Sequence, residues 1–504
     1  MFKKIGITLL GILGIPLVFF GCFEKKLTPL DTLVIGLSLE PLQLDPRFGI
    51  DATAQRLSQL MFDSLVVLDT HLKIVPHLAK TWKVKDDRIY TFFLQEGLTF
   101  QDGTPVESKH LVKTLEQILD PAFGSPLNAS FKNVIRVSVV TPKILEIELK
   151  EPQASFLTDL TLIKALPDQA FSDVEGYKQT LIGSGPYHYI GRKNNTLLFE
   201  RFEKHFTYHP KLRRLEFKII KDDATRALKL KKGELDLIQN DLSADFVMNL
   251  MKEGQVVITK SPGITYAYLG LNLKDPVLKN LKVRQAIAYA IDRHTIIQHL
   301  LHDLATPANS ILSSLNWSYE PKAEIYNHDL EKAKALLSKS GLPLPIQLVY
   351  KTSTDAQAVN IARVISDQLK KVGILVEIQA NEWGTFYRDV NQGEAQLFSL
   401  RWIGVTDPDI FHAAFHSSQF PPGRNRVFYS DPLMDRWLEQ GQKTLDLQKR
   451  KATYDKVQKK ISQELPYIDL WHFNNVGVYT PRLRGFYFHP QANFLPIVDM
   501  WKEG

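Results

Sequence analysis

A chain of 504 residues, 44% of them hydrophobic, is long enough to bury several cores. At ~100–200 residues per domain, about three compact units are expected. The formal net charge of +7 is spread over short, scattered basic clusters, whereas nucleic acid is bound by one concentrated basic face, so we exclude that partner. A single cysteine excludes an internal disulfide framework and a cysteine-rich zinc site.

The N-terminal segment has the pattern of an export signal. Two lysines precede the apolar stretch Ile5 to Phe20, and the only cysteine, Cys22, follows soon after it. We therefore expect residues 1–21 to be a signal peptide that resembles a lipoprotein signal, with a lipid attached to Cys22 and residues 22–26 as the linker. The alternative is an uncleaved membrane anchor, although Pro16 and several glycines make this stretch a poor spanning helix.

Strand-like and helical segments divide the rest of the chain. Strands are predicted at Thr32 to Leu37, Tyr90 to Leu94, Ile144 to Leu149, Leu197 to Phe202 and Leu215 to Ile220. Apolar residues at helical spacing predict helices at 283–301, 330–337, 359–372 and 447–465, and a strand at Leu375 to Ile378 follows the third helix. Alternating helices and strands indicate an α/β fold in the second half.

Nine short stretches, spread in order along the chain, carry the most specific signal. They are residues 37–46, 76–82, 90–106, 183–189, 281–296, 329–341, 368–386, 401–411 and 454–471. Each is weak by itself, because a sequence such as Asp102-Gly103 marks only a turn. Together they resemble the bacterial extracellular solute-binding proteins of family 5, which serve ABC importers of oligopeptides and dipeptides.

The resemblance implies a two-lobed α/β fold, the periplasmic-binding-protein type II fold, with an extra inserted domain. The first lobe would be discontinuous and would consist of residues 27–61, 180–270 and 482–504. The inserted domain would comprise residues 62–179, and the second lobe residues 271–481.

The resemblance also implies a function without catalysis or a cofactor. A monomeric substrate-binding lipoprotein on the periplasmic or cell-surface side would capture oligopeptides between two closing lobes. A ligand that prefers the closed state shifts the hinge equilibrium toward it. The permease of the importer would then receive the peptide for uptake.

Residues of both lobes are expected to contact the ligand. The predicted ligand-binding residues are Leu39, Glu40, Trp383, Arg401, Trp402, Ile403, Gly404 and Asp407. Trp383 and Trp402 match positions that line the pocket in oligopeptide-binding members. The segment Leu39 to Leu42 resembles a strand whose backbone pairs with bound peptide, and Glu40 is a candidate partner for a ligand cation.

Several positions depart from the family pattern. Val405 stands where oligopeptide-binding members place the aspartate that binds the peptide's amino terminus, and Val390 and Ser399 stand where arginines take up a carboxylate. Arg388 and Arg401 are the candidates to replace those arginines. These departures leave two alternative functions open. One is a receptor for a non-peptide solute, such as a cationic or metal-complexed one, and the other is a surface interaction protein that keeps the fold without a role in transport.

The sequence HAAFH, from His412 to His416, places two histidines one helical turn apart, a spacing that suits metal chelation. Ala413 stands where a metalloprotease needs its glutamate base, so zinc hydrolysis is not expected. The chain also lacks a Gly-x-Ser-x-Gly elbow and a nucleotide-binding Gly-x-x-x-x-Gly-Lys loop. We predict neither an enzyme nor a metal site.

Overall fold

The structure, a computed structural model, describes residues 27–504. The predicted signal peptide, the linker before residue 27 and the predicted lipidation site Cys22 lie outside these residues. In the part of the chain that is described, every helix is too short or too polar to cross a bilayer.

Nineteen strands and fifteen α-helices make up the described chain. The strands are β1 (Thr32–Leu37), β2 (Val66–Leu68), β3 (Ile74–Pro76), β4 (Ala79–Lys85), β5 (Ile89–Leu94), β6 (Val134–Thr141), β7 (Ile144–Leu149), β8 (Tyr187–Lys193), β9 (Thr196–Arg201), β10 (Arg214–Ile219), β11 (Leu237–Gln239), β12 (Val257–Leu271), β13 (Ala305–Pro307), β14 (Ile346–Ser353), β15 (Ile374–Asn381), β16 (Leu397–Trp402), β17 (Tyr467–Tyr479), β18 (Leu483–Arg484) and β19 (Trp501–Lys502). The helices are α1 (Ala52–Met61), α2 (Ser108–Leu119), α3 (Phe156–Asp159), α4 (Gln169–Ser172), α5 (Val174–Thr180), α6 (Asp223–Lys231), α7 (Ala244–Glu253), α8 (Leu281–Ala290), α9 (Arg293–Leu300), α10 (Leu330–Ser338), α11 (Ala356–Lys370), α12 (Trp383–Gln392), α13 (Ile410–Phe415), α14 (Pro432–Lys443) and α15 (Leu447–Glu464).

One large sheet runs through both halves of the molecule. Its strand order is β15-β14-β16-β12-β17-β11-β1-β10-β9-β8, and β13 also pairs with β17. The long strands β12 and β17 pair from Val257 opposite Tyr479 to Gly270 opposite Tyr467. Because β17 also pairs with β11 at one end and β12 with β16 at the other, these two strands connect the halves. The predicted two-lobed α/β fold is confirmed.

The buried side chains form separate cores along the chain. One core combines residues 33–62, 166–237 and 483–500, a second lies within residues 65–165, and a third lies within residues 267–471. Within the second core, β7 buries Leu145, Ile147 and Leu149 on one face, as its alternating sequence requires. The limits of the domains stay a prediction.

The predicted helix at 283–301 is two helices, which corrects the sequence interpretation. Ile291 adopts an extended conformation after α8, and the Asp292 carboxylate accepts a hydrogen bond from the Thr295 N–H at 3.0 Å, so it caps α9. An N-cap of this kind satisfies the free N–H groups of a new helix. Apolar spacing continues across the break because both helices bury one face in the same core.

Candidate functional site

A cavity of about 610 Å³ lies at the carboxyl ends of β14 and β16, beside the connecting strands β12 and β17. Its volume falls in the range of about 300–1,000 Å³ that is usual for small-ligand sites. The first residues of α11 and α12 complete its wall. Ligands of open α/β sheets bind at such an edge, because the loops and helix starts that follow parallel strands meet there.

Aromatic side chains form much of the cavity wall. Trp383 begins α12, is 55% exposed and stacks on Tyr387 with 5.7 Å between ring centroids. Trp402 ends β16 and is buried, and Phe473 comes from β17. These rings offer flat apolar surfaces on which peptide groups or side chains of a ligand can pack.

Three arginines line the same cavity: Arg401, Arg424 and Arg426. Arg426 is only 8% exposed, and it donates hydrogen bonds to the Asn391 Oδ1 at 2.8 Å and to the Tyr387 hydroxyl at 2.6 Å. Both acceptors are neutral. No carboxylate between residues 27 and 504 lies within 4.0 Å of the Arg426 guanidinium, so its charge is buried without a counter-ion.

The other two guanidiniums are more accessible. Arg424 lies 6.0 Å from the Trp402 ring centroid, and Arg401 lies 4.3 Å from the Phe473 ring centroid. Arg401 also donates a hydrogen bond to the Gln357 Oε1 at 3.3 Å. Although Arg401 remains accessible from the cavity, the surrounding protein lowers its pKa, and the Asp355 carboxylate only partly offsets this.

Asp355 is the only acidic residue among those that line the cavity. It caps α11 by accepting a hydrogen bond from the Ala358 N–H at 2.9 Å. Within the described residues no lysine, arginine or histidine forms an ion pair with it. Asp355 is therefore available to a ligand cation, and the cavity carries an excess of positive charge.

The structure brings four of the predicted ligand-binding residues together. Trp383, Arg401, Trp402 and Ile403 all line the cavity. Gly404 follows them and adopts a left-handed backbone with φ of 69°, which a glycine adopts without strain. It turns the chain away from the end of β16.

Asp407 lies outside the cavity wall. Its carboxylate forms a bidentate ion pair with Arg450, at 2.6 Å and 2.9 Å. Arg450 is 2% exposed and also donates a hydrogen bond to the Gly441 carbonyl at 3.0 Å. The structure thus gives Asp407 a partner within the protein that its sequence position, 43 residues earlier, does not reveal.

Leu39 and Glu40 also lie outside the cavity wall, in an irregular segment after β1. Leu39 is 65% exposed, and the Glu40 carboxylate pairs with Arg192. Among residues 27–504, none forms a hydrogen bond with the backbone of Leu39 or Glu40. Within the described residues, this segment therefore keeps free donors and acceptors at the carboxyl end of β1.

The positions that depart from the family pattern offer no charge to the cavity. Val405 and Val390 are buried apolar side chains, and the Ser399 hydroxyl hydrogen-bonds the Tyr350 hydroxyl. Arg388 pairs with Asp389 at 3.2 Å and does not line the cavity. Of the two arginines proposed as replacements, the structure places only Arg401 there.

The two histidines of HAAFH stack on each other with ring centroids 4.3 Å apart. Burial, with the neighbouring His416, lowers the pKa of His412 to about 4. The one group of three potential metal ligands within residues 27–504 lies elsewhere, at Asp63, His77 and His205. The sequence analysis did not identify that group, because its members come from three separated segments.

The hydrogen bonds of His205 determine which of its ring nitrogens faces Asp63. The His205 Nδ1 accepts hydrogen bonds from the N–H groups of Thr207 and Tyr208, so its proton sits on Nε2, which faces Asp63 at 3.4 Å. His77 Nε2 lies 2.7 Å from the other carboxylate oxygen. A metal ion would need the Nε2 lone pair of His205, and the observed bonds leave none.

Sequence reasoning missed Asp355, Arg424 and Arg426. Asp355 reads as an ordinary helix cap, and the two arginines lie in a loop without periodicity, 22 and 24 residues after Trp402. The only available signal was the basic pair itself, in the sequence GRNR. Folding brings both arginines against the Trp402 ring.

Residues 73–421 match the family model described as bacterial extracellular solute-binding proteins, family 5 Middle. Among curated relatives, the glutathione-binding protein GsiB of Escherichia coli K12 is 28% identical over 484 residues, which cover 92% of this chain and 93% of GsiB. The probable D,D-dipeptide-binding periplasmic protein DdpA of the same strain is 28% identical over 480 residues, covering 92% of each chain.

Solved structures show the same architecture. The ABC transporter substrate-binding protein CtaP of Listeria monocytogenes has a TM-score of 0.86 and 26% identity, with 94% of this chain and 99% of CtaP covered. The oligopeptide-binding protein AppA of Bacillus subtilis, in complex with a nonapeptide, has a TM-score of 0.76 and 23% identity, with 94% and 99% covered. Both similarities extend over nearly the whole of each chain.

Proposed function

The chain belongs to the bacterial extracellular solute-binding proteins of family 5, and from this premise we propose that it captures oligopeptides between its two lobes and delivers them to the permease of an ABC importer. The names of the relatives support this: GsiB is a glutathione-binding protein, DdpA a probable D,D-dipeptide-binding periplasmic protein and CtaP an ABC transporter substrate-binding protein. The observation that carries the proposal is the cavity of about 610 Å³ beside the connecting strands, with its aromatic wall and unpaired charges.

Peptide capture would use both lobes. On the second lobe, Trp383 and Trp402 provide apolar contact area, and Asp355 is available to the peptide's ammonium group in place of the aspartate absent at Val405. On the first lobe, the free backbone groups of Leu39 and Glu40 would pair with the peptide backbone as an added strand, independently of its side chains.

Closure follows from this division of contacts. A ligand bound to one wall gains the contacts of the other wall only when β12 and β17 bend and the lobes approach. Its higher affinity for the closed state then shifts the population toward that state. The permease would recognise the closed lobes.

Small-angle scattering of the purified full chain in mild detergent tests peptide capture. A mixture of short peptides is expected to reduce the radius of gyration, while the same concentration of free amino acids leaves it unchanged. No change with any peptide would contradict the proposal. Compaction only with a non-peptide solute would instead support the alternative receptor function.

The lipid anchor has a separate test. We propose attachment to the membrane through Cys22, since an exported chain with its one cysteine behind an apolar stretch suits lipidation. Cys22→Ser is expected to move the protein from the membrane fraction to the soluble fraction. Retention of this variant in the membrane fraction would favour an uncleaved anchor.

A further inference from the structure

Three guanidinium groups and one carboxylate line the cavity, so its lining carries a net positive charge. Proteins rarely bury a charge without an opposite charge nearby, because the interior solvates ions poorly. Arg426 breaks this rule: it is 8% exposed, and its acceptors Asn391 and Tyr387 are neutral. Functional sites are where such imbalance is found, and the missing partner is then a ligand group.

Among residues 27–504, no carboxylate forms an ion pair with Arg426. Its ring contacts, with Tyr387 at 5.1 Å and Trp402 at 5.9 Å, hold the guanidinium in place but carry no net negative charge. Arg424 lies at a similar distance from the same Trp402 ring, and this second positive charge worsens the imbalance. The two guanidiniums lie 6.0 Å and 5.9 Å from the Trp402 ring centroid, so both positive charges border the same part of the cavity.

Arg401 forms a second positive position. It stacks on Phe473 rather than on Trp402, and its one hydrogen bond goes to the neutral amide of Gln357. Planar guanidinium groups bind carboxylates with two parallel hydrogen bonds, which adds geometric selectivity. The cavity therefore has two separate places for carboxylates, with Asp355 as a place for one cation.

We propose that the cavity selects short acidic peptides that carry at least two carboxylates and one ammonium group. One carboxylate binds Arg424 and Arg426, a second binds Arg401, and Asp355 receives the ammonium. This inference rests on the proposed function and specifies its ligand class. Asp355 also disfavours ligands made only of anionic groups, such as polyphosphates, because it repels them.

The charge pattern explains the departures from the family. Val405 removes the aspartate that binds an amino terminus in oligopeptide-binding members, and Val390 and Ser399 remove arginines for a carboxylate. In this chain the cavity charges come from Asp355 and from Arg401, Arg424 and Arg426, so positive charge is in excess. A sequence-tolerant receptor has no use for that excess, whereas a receptor for acidic peptides depends on it.

Isothermal titration calorimetry with three matched tripeptides tests the selectivity. The peptides are Glu-Ala-Glu, Gln-Ala-Gln and Lys-Ala-Lys, titrated into the full chain at low salt. Glu-Ala-Glu is expected to bind at least about 30-fold more tightly than Gln-Ala-Gln, with Lys-Ala-Lys weakest. Raising the salt concentration should reduce this advantage.

The Arg426→Gln variant tests what the charge of Arg426 contributes to the preference for acidic peptides. The variant is expected to lose most of the advantage of Glu-Ala-Glu while still binding Gln-Ala-Gln. Arg363→Gln is the matched control: Arg363 is an exposed arginine on α11 outside the cavity, and its removal should leave the ratio unchanged. If Arg426→Gln fails to fold, the exposed Arg424 serves in its place, with a smaller expected loss.

The outcomes distinguish this inference from the proposed function. Equal affinity for all three peptides, or an undiminished preference in both cavity variants, would overturn the acidic selectivity and leave peptide capture intact. Binding of none of the peptides, in this assay and in scattering with a broad peptide mixture, would overturn both.

Discussion

Two buried arginines of the same lobe have opposite surroundings. Arg450 and Arg426 both pack against aromatic side chains of one core, at Tyr454 and Trp402 respectively. Arg450 has the carboxylate of Asp407 at 2.6 Å, whereas Arg426 has only neutral acceptors. A compensated charge contributes to the fold, and an uncompensated charge at a cavity indicates a ligand. The presence or absence of a paired carboxylate is therefore a criterion, independent of sequence motifs, by which we propose to distinguish structural from binding arginines.

The Asp63 cluster extends the comparison to the first half of the chain. Burial would raise the pKa of Asp63, but the two adjacent histidines outweigh it and hold that pKa well below its ordinary value. Like Arg450, Asp63 has its partners within the protein. We therefore propose that Arg450 and Asp63 contribute to stability, whereas the cavity arginines contribute to binding.

The largest expected effect is on Arg450. Arg450→Met should lower the free energy of unfolding by about 3–5 kcal/mol, because it leaves Asp407 partly buried without its partner. Arg426→Met should change it by no more than about 1 kcal/mol, since no buried carboxylate is left alone. Urea unfolding of the two variants measures the difference. Equal losses would end the distinction between the two arginines.

Asp63→Asn is expected to cost about 2–3 kcal/mol, because the charged hydrogen bond to His77 and the attraction of the carboxylate to both His77 and His205 are lost. Thermal and urea unfolding should both show the loss. Asp367→Asn, at an exposed position on α11, is the control and should stay within about 0.5 kcal/mol of the parent. A variant as stable as the parent would show that the cluster is not structural.

A third region is a pocket of about 430 Å³ between residues 129–159 and residues 409–443, with contacts that connect its two sides. The Ala154 N–H donates a hydrogen bond to the Gln442 carbonyl at 2.7 Å, and Lys443 pairs with Glu151 at 2.7 Å. Asp159 and Asp409 line the pocket, and Asp407 lies beside them.

These carboxyl groups predict a pH dependence of stability. Burial, together with the charge of Asp407, raises the pKa of Asp159 to about 8 and that of Asp409 to about 6. The native state therefore holds protons that the unfolded chain releases above about pH 4, so their contribution to stability falls as the pH rises from about 4 to about 8.

Asp159→Asn should remove part of that fall. Its stability relative to the parent is expected to rise between pH 5 and pH 8, because the amide stays neutral. Urea unfolding of the variant and the parent at several pH values measures this difference in the free energy of unfolding. The contributions of the other carboxyl groups are the same in both proteins and cancel. A constant difference across the range would contradict the raised pKa of Asp159.

The smallest effect on the fold is expected at Trp383. It is 55% exposed, so Trp383→Ala should change the free energy of unfolding by less than about 1 kcal/mol, while peptide affinity falls about tenfold through lost aromatic contact. Calorimetry and urea unfolding of one preparation measure both quantities. Unchanged affinity would remove Trp383 from the ligand-binding residues.

Local patterns predicted much of the fold. The predicted strands at Thr32 to Leu37 and Ile144 to Leu149 coincide with β1 and β7. Alternation predicts β7, which buries every second residue, whereas β1 is a short apolar run that is buried throughout. The break at Asp292 was missed, since an N-cap does not interrupt apolar spacing. The spacing of apolar residues predicts which side chains are buried. It does not show where one helix ends and the next begins in a new direction.

The site was less accessible to sequence reasoning. Family resemblance predicted Trp383 and Trp402, which line the cavity together with the further candidates Arg401 and Ile403. The sequence could not show that Asp407 pairs with an arginine 43 residues further along, nor that Arg426 forms no ion pair with any of residues 27–504. Charge compensation depends on long-range contacts, and these exist only in the folded chain.

Native mass spectrometry of the full chain, purified gently from the organism that produces it, tests the central claim most directly. Denaturation after the measurement releases whatever the cavity holds, and fragmentation identifies it. We predict short peptides with at least two carboxylates and a net negative charge. A set of peptides without charge preference, or a cationic or metal-complexed solute, would contradict the account.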